Sequence, residues 1–216
     1  MNDLIIVCED SFGLDVKQIV LAINARYNVN NKVPLFKIKG FIVPKAKSDE
    51  LNKMLDPYLG TIEAWRPGQS EIYAMGIVDP GRKERYAELL KNRGAEFAVL
   101  RAPWALAHLD MEFSEGCIIA AHSIMDSAQI GRFATLHNSM IGFDASVGDY
   151  SSVMAFSNIT TANIKDGVYI GPNSAIMSGV TVHEGARVLP GSVVVRDVKP
   201  GQTVSGIPAR RVKEPK

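Results

Sequence analysis

The feature that most constrains the fold is an aliphatic residue that returns at nearly regular intervals from Ile118 to Val194. Most steps are six residues long, and two are five. A small residue lies two positions before most of these aliphatics, and only His122, Val168 and Val180 interrupt that second column. The aliphatic series is Ile118, Ile124, Ile130, Leu136, Ile141, Val147, Val153, Ile159, Ile164, Ile170, Ile176, Val182, Val188 and Val194.

This spacing predicts a parallel β-helix. An amphipathic α-helix would repeat its apolar residues every 3.6 positions, whereas six is a multiple of the two-residue period of a strand. Short strands joined by tight turns can therefore keep both columns inside, and stacked hexapeptide rungs bury one continuous core. Because three rungs complete one coil, we expect one face to carry Leu136, Val153, Ile170 and Val188. An ordinary β-sandwich with fortuitous spacing is the alternative.

The first hundred residues follow a different pattern, in which short apolar runs alternate with segments of helical spacing. Such alternation is typical of an open, mostly parallel α/β sheet. We place the boundary near Pro103, which divides the chain into an α/β domain (1–103), a β-helix (104–206) and a tail (207–216). The predicted elements are strands at Leu4–Val7, Phe36–Ile42, Ile72–Ile77 and Phe97–Leu100, a helix through Val16 and Ile23, and a helix capped by Asp79 and Pro80.

Composition excludes several classes of protein. The formal net charge is +1, from 24 basic and 23 acidic residues, which gives no reason to expect a nucleic-acid partner. Cys8 and Cys117 lie far apart and form neither a disulfide framework nor a metal-type pair. The first residues lack the basic region of a signal peptide, and no apolar run approaches the length of a membrane span. We therefore expect a soluble protein in the reducing cytoplasm.

Three motifs add a family resemblance to the repeat. They are Gly171-Pro-Asn-Ser-Ala-Ile-Met-Ser-Gly179, Leu189-Pro-Gly-Ser192 and Gly206-Ile-Pro-Ala-Arg-Arg-Val212. With the preceding α/β region, the chain resembles the hexapeptide-repeat sugar O- and N-acyltransferases of the sialic-acid and bacillosamine type. The resemblance implies a Rossmann-like N-terminal domain that holds a sugar or nucleotide-sugar. It also implies a left-handed β-helix, a homotrimer, and acetyl-CoA bound between neighbouring β-helices.

In that family the catalytic base is a histidine in a pattern like Ile-Gly-His-Asp. The matching stretch here is Ile141-Gly142-Phe143-Asp144, so Phe143 occupies the histidine position and only Asp144 is kept. A phenyl ring cannot accept a proton, so another group must replace the base if activity is retained. His137, one place after an inward Leu136, and Asp144 itself are the candidates.

The other three histidines have plainer interpretations. His122 falls in the inward column and is expected to be buried. His108 is expected at the domain junction, and His183 on the surface.

Other places match the resemblance to different degrees. The family's first strand ends in a glycine-rich turn for the nucleotide, and Phe12 and Gly13 are the matching acceptor-binding residues. Two carboxylates in this turn, Glu9 and Asp10, would repel a phosphate. Ser152 replaces a second family histidine and is a further acceptor-binding candidate. The predicted contacts to acetyl-CoA are Thr160, Pro172, Pro190 and Gly191, with Arg210 or Lys213 toward its phosphates.

Two classes of function remain open. The first is an acyltransferase in which a sugar amine or hydroxyl attacks the thioester directly, because neither cysteine is placed as a nucleophile. The second is a trimeric binding or scaffold protein that keeps the coenzyme groove and has lost the base.

Overall fold

The computed structural model describes residues 2–28, 34–108 and 110–212. Its first part is a sheet of four parallel strands in the order β3-β2-β1-β4, connected by helices. None of the helices in these described ranges is long and apolar enough to cross a membrane. The elements are β1 (Asn2–Cys8), α1 (Phe12–Asn28), β2 (Phe36–Val43), a 3-10 helix (Lys45–Lys47), α2 (Ser48–Leu51), β3 (Tyr58–Thr61), β4 (Glu71–Gly76) and α3 (Pro80–Lys91).

The predicted α/β arrangement of this part is largely confirmed. The first three predicted strands are β1, β2 and β4, and the two predicted helices are α1 and α3. α3 begins where the sequence predicted, because the Asp79 carboxylate accepts the Arg82 N–H at 3.1 Å and Pro80 opens the first turn. The sequence pattern did not predict the short helices and β3 between residues 45 and 61.

The fourth predicted strand, Phe97–Leu100, was wrong in part. Phe97 forms only an isolated bridge to Tyr73 of β4. The Ala98 N–H still donates to the Tyr73 carbonyl, but the Leu100 N–H donates to Cys117 O at 2.9 Å. The backbone thus changes partners within two residues, and the strand is divided between the sheet and the start of the β-helix.

From Leu100 onward the chain is a parallel β-helix with three faces made almost entirely of two-residue strands. Hexapeptide repeats and parallel rungs fit the left-handed β-helix that the resemblance implies. Face one comprises β5 (Leu100–Arg101), β7 (Ile118–Ile119), β10 (Thr135–Leu136), β13 (Ser152–Val153), β16 (Tyr169–Ile170), β19 (Arg187–Val188), β21 (Thr203–Gly206) and the antiparallel β22 (Ala209–Arg211). Face two comprises β6 (Leu106–Ala107), β8 (Ile124–Met125), β11 (Met140–Ile141), β14 (Asn158–Ile159), β17 (Ala175–Ile176) and β20 (Val193–Val194). Face three comprises β9 (Gln129–Ile130), β12 (Ser146–Val147), β15 (Asn163–Ile164) and β18 (Thr181–Val182).

The stacking predicted for face one is confirmed. Leu136 pairs with Val153, Val153 with Ile170, and Ile170 with Val188, and all four side chains are fully buried. From β7 to β20, the second residue of each strand points into the core, as the period of two requires.

The first predicted coil, from Ile118 to Ile130, departs from the predicted phase by one residue. Ile119 and Met125 enter the β-helix core, whereas Ile124 is 40% exposed. The error comes from a third five-residue step, from Met125 to Ile130. A six-residue step counted back from Ile130 reaches Ile124, one place before the residue that actually enters the core. Cys117 and Ser123 accordingly take the small-residue column from Gly116 and His122, and His122 is exposed rather than buried.

The sheet and the β-helix share apolar core. Ile118 and Ala120 of the first coil are buried in one cluster with Leu4 and Ile6 of β1. Phe133, from a turn of the β-helix, stacks on Tyr150 with ring centroids 5.1 Å apart. Both rings belong to the apolar cluster on the opposite side of the sheet. The carboxyl end of the sheet is thereby held against face one, where the two parts meet.

Candidate active site

The turns of the β-helix line up in columns at its corners. The first corner, between faces one and two, contains His137, Phe156, Pro172 and Gly191 in successive coils. Backbone bonds of 2.9 Å hold it together, from the Phe156 N–H to Asn138 O and from the Gly191 N–H to Pro172 O. The second corner, between faces two and three, contains Phe143, Asp144, Thr160 and Met177, and the Gly179 N–H donates to Thr161 O at 3.0 Å.

His137 lies on the first corner, against the α/β domain. Its ring meets the ring of Phe12, at the start of α1, edge to face with centroids 5.4 Å apart. The side chain is half-buried, and its Nδ1 is a buried atom without a hydrogen-bond partner among the residues that the structure describes. Burial lowers the pKa of His137, an effect that the carboxylate of Asp15 partly opposes. The neutral imidazole, which can accept a proton, is therefore the favoured form.

Phe143 and Asp144 lie on the second corner, away from His137. Phe143 is 63% exposed, and Asp144 is exposed in a left-handed conformation with φ of 57°. Since face two separates the corners, Asp144 does not orient the His137 imidazole of its own chain. The three predicted catalytic positions are thus divided between two corners.

Of the predicted acceptor-binding residues, Phe12 and Gly13 lie at the carboxyl end of β1, beside His137. Phe12 is buried, and a Cβ on Gly13 would come within 2.5 Å of the Cys8 Sγ. The glycine is therefore required by close packing against the end of β1. Ser152 is fully buried: its hydroxyl donates to Val78 O and accepts from Lys83 Nζ, both at 2.7 Å. No part of Ser152 is open to a ligand.

Lys83 is the principal residue that sequence reasoning missed. It extends from α3 into face one, is completely buried, and its Nζ has four oxygen acceptors within 3.3 Å. Burial lowers its pKa to about 7. The acceptors are Phe133 O, Thr135 Oγ1, Ser151 O and Ser152 Oγ.

A signal for this contact was present in the sequence. Lys83 shares the apolar stripe of its helix with Ala87 and Leu90, four and seven residues on. The hydroxyls of Thr135 and Ser152 occupy the outward positions of consecutive rungs on face one. A lysine on an apolar stripe opposite two hydroxyls predicts a buried polar contact.

A chain of charged groups runs beside Lys83. Arg82 lies 3.1 Å from the buried Glu9 and 3.6 Å from Asp79, and Asp79 lies 3.0 Å from Arg187 of β19. Burial raises the pKa of Glu9. For Asp79, burial is outweighed by the Arg82 N–H and by Arg187, which hold its pKa below the usual value. These contacts connect the β1–α1 turn, the start of α3 and face one.

The predicted coenzyme contacts are distributed over both corners. Pro172, Pro190 and Gly191 lie on the first, in the column headed by His137, and Thr160 lies exposed on the second. Near the last coil, exposed Arg210 lines a cavity of about 180 Å³ together with two other arginines, Arg196 and Arg211. Lys213 lies outside the described residues.

Both cysteines are unsuited to nucleophilic catalysis. They are buried free thiols, and burial raises the pKa to about 12 for Cys8 and about 11 for Cys117. The Cys117 Sγ also donates to Gly131 O at 3.0 Å. Thiols in this state carry almost no thiolate at neutral pH.

Part of the β-helix is similar in sequence to bacterial transferase hexapeptide repeats. The family model of that description, which has six repeats, matches residues 161–196. Among curated proteins, the bifunctional protein GlmU of Rubrobacter xylanophilus is 32% identical over 111 residues, which are 46% of this chain and 23% of that protein. The chain thus spans about 23% of the length of that relative.

Solved structures resemble the chain over nearly its whole length. The acetyltransferase domain of PglB from Neisseria gonorrhoeae FA1090 has a TM-score of 0.82 at 15% identity and covers 98% of this chain and 100% of that one. A mutant of perosamine N-acetyltransferase from Caulobacter crescentus, solved with CoA and GDP-perosamine, has a TM-score of 0.73 at 15% identity and covers 99% and 98%. The resemblance to sugar acyltransferases is confirmed in the repeats and in the overall fold.

Proposed function

We propose that the protein transfers an acetyl group from acetyl-CoA to an amine or hydroxyl of a sugar, either free or nucleotide-linked. The observation that carries the proposal is the similarity of fold, over the whole chain, to structures of sugar N-acetyltransferases. In this proposal residues 1–103 bind the acceptor and residues 104–206 carry the coenzyme groove. The two free thiols support a reducing, cytoplasmic setting.

Transfer proceeds by direct attack in a ternary complex. The acceptor nitrogen or oxygen attacks the thioester carbonyl carbon, and His137 accepts the proton that the acceptor loses. The carbon–sulfur bond then breaks, and the departing thiolate takes up a proton from the imidazolium. The lowered pKa of His137, which favours the neutral imidazole, supports this assignment, as does its place beside Phe12 at the carboxyl end of β1. The test of the whole proposal is acetyl-CoA-dependent acetylation of a panel of amino sugars, followed by mass spectrometry.

The arginines of the last coil are suited to the phosphates of acetyl-CoA, because guanidinium groups match phosphate geometry. Calorimetry should give a Kd for acetyl-CoA tighter than about 1 mM, or roughly −4 kcal/mol. Arg210→Gln should weaken binding about tenfold through loss of a charge-assisted hydrogen bond.

Arg66→Gln is the matched control, since both arginines are exposed and donate to the carbonyl of the preceding residue. Equal effects of the two substitutions would show that Arg210 does not contact the coenzyme. Absence of acetyl-CoA binding would remove the main support for the acyltransferase.

The outer surfaces of the three faces differ in a way that supports a homotrimer. Face one is covered by the α/β domain near Ser152, and face three presents polar residues such as Gln129. Face two presents a row of exposed apolar side chains, in which Leu106 pairs with Ile124 and Ile124 with Met140. A second copy of the chain can bury such a row, and the same contact repeated about a three-fold axis forms a closed ring of three chains.

Light scattering should therefore give about three times the 23.5 kDa of one chain. Met140→Glu should shift the mass toward the monomer, because it places a carboxylate within the apolar row. Gln129→Glu, which adds the same charge to face three, should leave the trimer intact. A monomeric native protein at micromolar concentration would refute this arrangement.

A further inference from the structure

The β1–α1 turn occupies the place where parallel α/β sheets commonly bind phosphates. β1 is an inner strand between β2 and β4, and its carboxyl end leads directly into α1. At such a place the free N–H groups of the helix N-terminus usually hold the anion. Whether those donors are available here decides which acceptors the turn can take.

The first three N–H groups of α1 are already bonded within the turn. The Phe12 N–H donates to the Asp10 carboxylate at 2.8 Å. The Gly13 N–H donates to the backbone oxygen of Asp10 at 3.3 Å, and the Leu14 N–H donates to that of Ser11 at 2.9 Å. The Asp10 carboxylate thus occupies the position that a phosphate oxygen would need.

The surrounding charges oppose a phosphate as well. Glu9 is buried next to Asp10, and Asp15 adds a carboxylate in the first turn of α1. Arg82 is the cation in contact with Glu9, and it is shared with Asp79. The nearby lysines are also engaged, Lys17 with Asp56 O and Lys47 with Glu50.

We propose that Asp10 is a specificity-determining residue that closes the N-terminus of α1 to phosphate, so that the acceptor is a sugar amine or hydroxyl without a nucleoside diphosphate. This inference rests on the proposed acetyl transfer. It selects the free sugar from the two acceptor classes that the fold leaves open.

The direct test is binding of UDP and GDP, measured by calorimetry without acetyl-CoA. The native protein should show no binding up to 1 mM, about −4 kcal/mol. Asp10→Gly frees the Phe12 N–H and removes the carboxylate, and it should bind either nucleotide at least tenfold more tightly than the native protein. Asp15→Asn removes a neighbouring charge without freeing that N–H, and it should remain like the native protein. Binding of UDP or GDP by the native protein at micromolar concentration, or equal gains in both variants, would overturn the role of Asp10.

Turnover of the native protein is the second test and does not depend on the folding of a variant. With saturating acetyl-CoA, kcat/KM should be at least tenfold higher for glucosamine than for UDP-glucosamine. Preference for the UDP-linked sugar would overturn the inference and leave acetyl transfer intact. Absence of acetyl-CoA binding would instead contradict the proposed function, and the nucleotide-binding result would still decide the role of Asp10.

Discussion

Lys83→Ala is expected to lower the free energy of unfolding by about 3 kcal/mol, because it leaves several buried oxygen acceptors without their donor. The Nζ of Lys83 connects α3 to two consecutive rungs of face one and contacts both Thr135 and Ser152. Urea denaturation of the native and variant proteins measures the difference.

Lys91→Ala is the control, since Lys91 lies on the same helix and also reaches the β-helix, through Glu115 at 2.7 Å. That pair is partly exposed, so its loss should cost less than about 1 kcal/mol. Equal losses of unfolding free energy in the two variants would show that the buried contact of Lys83 stabilises the fold no more than the exposed pair does.

The same lysine should make stability depend on pH. Its pKa is lowered to about 7 by burial, so between pH 7 and the ordinary value of 10.5 the unfolded chain holds a proton that the folded chain has lost. Stability therefore rises with pH from about 7, by up to about 1.4 kcal/mol per unit. Above pH 9 the slope should reverse, because Cys8 and Cys117 have raised pKa values and ionise first in the unfolded chain.

Denaturation at pH 7, 8 and 8.5 tests this dependence, and Lys83→Met should remove the rise. A native protein whose stability does not change over this interval would mean that Lys83 remains charged in the folded state.

The β-helix could be predicted from sequence because its core follows a single period that each rung repeats. The phase of the first coil could not, because five-residue steps are visible only when the flanking aliphatics are unambiguous. Ile118-Ile119 and Ile124-Met125 each offer two apolar residues in succession, and only contact with the α/β domain determines that Ile118 faces outward. Packing against the α/β domain therefore determines the phase of this coil where the repeat allows two.

The candidate site was predictable in its parts and less so in its arrangement. The sequence identified Phe12 and His137 separately, but their ring contact depends on how the sheet rests on face one. The pattern of turns predicted that one face of the β-helix separates Phe143 from His137. In the structure Phe143 lies on the next corner, across face two. The burial of Ser152 could not be predicted, because its partner Lys83 comes from an element distant in sequence. Contacts between the two halves of the chain are thus the part that local spacing did not reveal.

His137→Ala is expected to lower kcat by about 10²- to 10⁴-fold, the usual contribution of positioned proton transfer. The acidic limb of the pH profile of kcat/KM should lie below the ordinary histidine value of 6.5, because burial against Phe12 lowers the pKa of His137 and activity is lost as the base becomes protonated. His183→Ala is the matched control, since His183 also follows an inward aliphatic, Val182, and lies away from Phe12 on another corner. Equal turnover by His137→Ala and the native protein would refute the assignment of the base.

Phe143→His distinguishes loss of the base from its relocation. If His137 serves as the base, adding an imidazole on the second corner should change turnover little. If native turnover is negligible, Phe143→His beside Asp144 should restore it, because the carboxylate can orient the new imidazole and stabilise its charged form. A protein that binds acetyl-CoA but acetylates no sugar in either form would instead fit the alternative of a non-catalytic binding protein. The two substitutions together therefore assign the reaction to the first corner, to the second corner, or to neither.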